Sequence, residues 1–104
     1  MSRGPDALTL LTRALLAGAR ASHCPLALAA SDSRRWSSAT FAGMQHRLTL
    51  SGTSSAALDA MLAALPETEF ALRGHLVADL VVERVRREGD AVTIELEVLT
   101  VEER

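Results

Sequence analysis

Every second residue from Phe70 to Val82 is apolar or small: Phe70, Leu72, Gly74, Leu76, Ala78, Leu80 and Val82. Beyond Arg87-Glu88-Gly89-Asp90 the alternation resumes with Val92, Ile94, Leu96 and Val98, while Thr93, Glu95 and Glu97 take the intervening places. A period of two sends successive side chains to opposite faces of a strand. The segment therefore predicts a long antiparallel hairpin with an apolar and a polar face. Val77, Val81, Val85, Leu99 and Val101 interrupt the polar parity. They predict an apolar patch on the outer face.

Two other stretches follow the helical period. Leu8, Leu11, Leu15 and Leu16 line one face of a helix over 5–21, widened by Leu10 and Ala14. Pro5 suits its first turn, Asp6 suits the positive end of the helix dipole, and His23-Cys24-Pro25 ends it. Leu58, Met61, Leu62 and Leu65 form the stripe of a second helix over 54–65. The loop Ser51-Gly52-Thr53-Ser54-Ser55 supplies its hydroxyl cap and Pro66 its end.

Between the helices the chain reads as extended. Residues 26–42 make one bent strand or two short ones, with Ser31-Asp32-Ser33 as a turn or bulge and Gly43 as a bend. Met44, His46, Leu48 and Leu50 then share one face, opposite Gln45, Arg47 and Thr49. The order helix, extended pair, helix, extended pair predicts a single α+β domain over 1–104. Its architecture is a two-layer sandwich in α-β-β-α-β-β order, a four-stranded antiparallel sheet with both helices on the apolar face. The two α-β-β halves repeat in architecture, not in residues.

Composition shapes the core. Aromatic residues are 3% of the chain (Trp36, Phe41, Phe70), against 48% hydrophobic overall, so Leu, Ala and Val carry the burial. All 11 basic residues are arginines. The absence of lysine excludes Schiff-base and P-loop chemistry, and the bias is that of a GC-rich, bacterial coding sequence. The lone Cys24 excludes an intramolecular disulfide and a cysteine-rich metal site. The Leu-rich run 8–16 is too short to span a bilayer, and Arg13 interrupts it as a leader, so the cytoplasm is the expected location.

The net charge of −2 weighs against a dedicated nucleic-acid binder. It is unevenly spread, because no carboxylate lies between Asp32 and Asp59 while Arg34, Arg35, His46 and Arg47 do. Arg34, Arg35, Trp36, His46 and Arg47 thus form the candidate ligand-binding set, arginine forks beside a ring suited to phosphates or bases. Gly52-Thr53-Ser54-Ser55 offers an anion a helix N-terminus, although capping accounts for the same residues.

His75 and Asp79 share the outward parity of their segment, ~13 Å apart at ~3.3 Å per residue. They are the candidate catalytic pair of an enzyme with its site at a subunit interface. His23 and Cys24 are adjacent and lack the spaced partners that chelation needs, so neither a metal nor a cofactor is expected. The leading reading is a non-enzymatic interaction module, homodimeric through its sheet. Val77, Val81, Val85, Leu99 and Val101 form the expected interface. The anion or nucleic-acid binder and the interfacial enzyme are its alternatives.

Overall fold

A computed structural model describes residues 6–103. Helix α1 (Ala7–Ala21) starts where the Asp6 carboxylate accepts the Thr9 N–H at 2.9 Å. Pro5 lies outside the described residues. The helix stops at His23, which takes a left-handed φ of 63°, while the Cys24 N–H returns to the Ala19 carbonyl. This places Cys24 in the core, 3.6 Å from the Met61 sulfur. Helix α2 (Ala56–Ala64) is capped by the Ser55 hydroxyl, which accepts from Leu58 N–H, and runs into a 3₁₀ turn at Leu65–Glu67 containing Pro66.

The strands are β1 (Ala27–Ser37), β2 (Ala42–Thr53), β3 (His75–Glu88) and β4 (Ala91–Glu102). They form one antiparallel sheet in the order β1-β2-β4-β3, so the two hairpins meet along β2 and β4. Leu11 and Leu15 of α1 and Leu58 of α2 join Leu48, Leu50, Ile94 and Leu96 in one buried cluster. Both helices therefore lie on one face of the sheet, and the α-β-β-α-β-β sandwich expected from the sequence is the fold.

Several local expectations change. Residues 27–37 are one strand, and the chain reverses at 38–41, where Ser38 N–H meets the Phe41 carbonyl at 2.7 Å. Gly43 is not a bend; it sits inside β2, opposite Trp36 on one side and Val101 on the other. A Cβ there would overlap the Thr100 carbonyl and come 3.0 Å from the Trp36 indole nitrogen, so only glycine fits. Strand β3 begins at His75 and not at Phe70, because Gly74 turns the chain with a φ of 82°.

The largest correction is one of parity. The β3–β4 register slips once between Val77 and Asp79 and again between Val82 and Arg84. Each slip is a bulge, which sets an extra residue against the partner strand and resets the alternation. Val77 now pairs with Thr100 and Val85 with Ile94, and both pack against the core. Neither belongs to the outer face where the sequence placed them. Leu76, expected inside, pairs with Val101 on the outer face and is 53% exposed. A third slip, between Leu28 and Ala30, does the same to β1.

Candidate functional site

Cross-strand neighbours project from the same side of a sheet, so the registers define rows of side chains on each face. On the outer face one row runs Trp36, Gly43, Val101, Leu76 across all four strands. The next is Arg34, Gln45, Leu99, Asp79, and the third is Asp32, Arg47, Glu97, Val81. Because Gly43 has no side chain, the Trp36 ring can settle against the strand, its indole nitrogen buried without an acceptor among the described residues. Trp36, Val101, Leu76, Leu99 and Val81 make an apolar diagonal at this end of the sheet. Of the expected interface set, Val81, Leu99 and Val101 belong to it.

The charges on this face are of both signs. Arg34, Arg47, Arg84 and Arg86 occupy paired outer positions, and so do Asp32, Asp79, Glu88, Glu95 and Glu97. Glu97 accepts from Gln45 at 2.8 Å and from Arg47 at 3.4 Å. The five residues expected to form a basic ligand site are thereby divided. Arg34, Trp36 and Arg47 face outward, whereas Arg35 pairs with Met44, and His46 with Ser33, on the helix side. Arg47 lies across from Asp32 and not near 37–39 as a hairpin turning at Gly43 would put it.

His75 and Asp79 are also separated. His75 pairs with Glu102 on the inner parity and Asp79 with Leu99 on the outer, so the first β3 bulge puts them on opposite faces. The helix N-terminus after Gly52-Thr53-Ser54-Ser55 is occupied by its own cap; Gly52 and Thr53 belong to β2. Arg87 reinforces that end through Asp59 at 2.9 Å. Among the described residues no group of three or more His, Cys, Asp or Glu could hold a metal, and no helix is long and apolar enough to cross a membrane.

Beneath the outer apolar diagonal, the inner face turns polar. His46 and Thr100 are fully buried. Ser33 Oγ lies 2.8 Å from His46 Nδ1, and His46 Nε2 lies 2.9 Å from Thr100 Oγ1. Burial lowers the pKa of the His46 imidazole below its ordinary value; Asp6 opposes it less strongly, and His75 adds a still smaller push downward. Next to this network, at the start of α1, is a cavity of about 300 Å³. Asp6, Leu8, Ser33, Arg35, His75 and Glu102 are among its walls. The sequence reading grouped His46 with the arginines as a cation and passed over Ser33 and Thr100. The signal for them was a polar residue at an inward parity, visible only once the registers are known.

The fold class is thus a two-layer α+β sandwich with an uncovered sheet face. No protein-family model matches the sequence, and no curated protein matches it. A chain in the solved structure described as the virion of a native gene transfer agent (GTA) particle is similar in fold, with a TM-score of 0.53. Sequence identity is 22% over 77% of this chain and 69% of that one, a likeness of fold alone.

Proposed function

We propose that this protein is an interaction module that self-associates, as a homodimer, through the outer face of its sheet. The observation that carries the reading is the apolar diagonal of Trp36, Leu76, Val81, Leu99 and Val101 on the face opposite both helices. Leu76 is 53% and Val81 40% exposed, and apolar side chains gathered in one patch mark an association surface. The mixed charges around the patch favour a second copy as its occupant. A face bearing both signs can pair its arginines with the same face's carboxylates, whereas a nucleic acid calls for a surplus of arginine.

Both sheet edges support face-on contact over edge-on pairing. Strand β1 carries one bulge and β3 two, with Arg84, Arg86 and Arg87 along β3, features that discourage strand addition. The fold neighbour's place in a virion, a particle of many subunits, agrees with a chain built for assembly. A cytoplasmic site of synthesis and association completes the reading.

Sedimentation at micromolar concentration tests it. The wild-type chain is expected at twice its 11.1 kDa mass, and Leu76→Glu or Val81→Glu at the mass of one chain. A wild-type monomer would remove the proposal.

A further inference from the structure

The cavity at the start of α1 contains the parts of a reactive site, on the face opposite the association patch. Ser33 on β1 lies directly across from His46 on β2, with 2.8 Å between Oγ and Nδ1. The Thr100 hydroxyl can donate to the Met44 carbonyl at 3.4 Å, which leaves its oxygen to accept from His46 Nε2–H. In that arrangement His46 carries its proton on Nε2. The His46 lone pair sits on Nδ1, facing the Ser33 hydroxyl, and burial keeps the ring neutral.

A hydroxyl donating to a neutral imidazole whose far nitrogen is anchored is the arrangement that activates a serine. Ser33 and His46 both line the cavity, together with the cationic fork of Arg35 and the apolar surface of Ala7, Leu8 and Met44. The charged and titratable groups that line the cavity with His46 are Asp6 before α1, Arg35 on β1, His75 on β3 and Glu102 on β4, of which Asp6 and His75 act on the ring.

We propose that Ser33 is the nucleophile, and His46 the general base, of an acyl-transfer site for small carboxylic esters. Ser33 Oγ forms a bond to the ester carbonyl carbon as its proton passes to His46 Nδ1. The carbonyl π pair moves onto oxygen, where Arg35 is the available donor. The pair returns, the carbon–alkoxy bond breaks, and the departing alkoxide takes the proton from His46. Water repeats both steps on the acyl-serine, releasing the carboxylate and restoring the hydroxyl. Asp6 opposes the positive charge that His46 carries between steps. Thr100 is a positioning residue. An open hollow of about 300 Å³ has room for a small acyl group against Leu8 and Met44.

The test treats the intact protein with a fluorophosphonate probe and maps the adduct by peptide mass spectrometry across pH 5–9. One adduct is expected, on Ser33, and its rate of formation should rise with pH to a plateau as His46 becomes neutral. Ser33→Ala takes the partner from buried His46 Nδ1, so it should melt somewhat below wild type while staying folded at the assay temperature. It should lose the adduct and lower the release of p-nitrophenol from p-nitrophenyl acetate at least tenfold. Absence of a Ser33 adduct would overturn the proposal. So would labelling shared evenly with the exposed Ser22 and Ser38, or a rate that simply follows hydroxide. The outcome is independent of self-association, because the two surfaces lie on opposite faces.

Discussion

The two ends of the sheet solve burial in opposite ways. Toward the turn at 89–90 the two central strands are aliphatic on the inner face, with Leu48, Leu50, Val92, Ile94 and Leu96 under the helices. The outer rows there are polar: Thr49 with Glu95 and Arg84, then Ser51 with Thr93 and Arg86. Toward the turn at 38–41 the assignment inverts. Ser33, His46 and Thr100 go inside, while Trp36, Leu76 and Val101 go outside. One end is held by apolar burial, which is non-directional and forgiving in geometry. The other is held by three directed hydrogen bonds, each of which leaves an orphan if its partner is lost. A sheet whose faces exchange character along its length has a use for both ends. The first is scaffold, and the second presents a surface and a cavity.

Substitutions at the two ends should differ in kind as well as size. Ile94→Ala, at the aliphatic end, is expected to cost most, about 3–4 kcal/mol by denaturant unfolding, because it leaves a cavity under both helices. Gly43→Ala should cost about 2–3 kcal/mol, since the new methyl must push the Thr100 backbone away and unseat Trp36. Trp36 fluorescence should shift in that variant and stay unchanged in Ile94→Ala under native conditions. Thr100→Val preserves shape but strips the acceptor from buried His46, for a loss of about 2 kcal/mol. A cost near zero would mean that hydrogen bonding does not distinguish the two ends.

Acid supplies a further contrast. The unfolded chain carries a histidine near 6.5, while the folded His46 sits lower, so the unfolded state binds its proton first. Stability from this group is complete above about pH 6.5 and declines as pH falls through and below that value. His46→Gln should flatten the decline in a pH series of urea midpoints. Asp6, also lowered by its bond to Thr9 N–H, acts only below its ordinary value of 3.8 and does not blur that window. The smallest effect belongs to Arg47→Ala. Its pairing with Glu97 is long at 3.4 Å and solvent-exposed, so a loss of roughly 0–0.5 kcal/mol is expected.

Much of this fold was legible in the residues. The stripe of Leu58, Met61, Leu62 and Leu65 and the break at Pro66 are local, as is the reversal at Gly89, whose φ of 59° favours glycine. The inward set of β2 and β4 followed from alternation because neither central strand contains a bulge. The edge strands were misread for the same reason in reverse. Ala29, Ala78 and Glu83 are the extra residues, and nothing in an alanine or a glutamate announces a bulge. Once β3 slipped, Val77 and Val85 exchanged sides with Leu76, and His75 parted from Asp79. The candidate site suffered most. Ser33 looked like part of a turn, and Thr100 looked like strand filler, because their bonds to His46 span 13 and 54 positions.

By itself, then, the sequence determined the elements, their order and the aliphatic half of the core, because periodicity, caps and turn residues act over a few neighbours. Tertiary structure decided which valines face the helices, where Trp36 finds a seat without a Cβ beneath it, and which hydroxyls enclose His46. Those choices depend on the register between strands. Register is settled by the packing of the whole sheet against its helices, where a single inserted residue turns every later side chain to the other face.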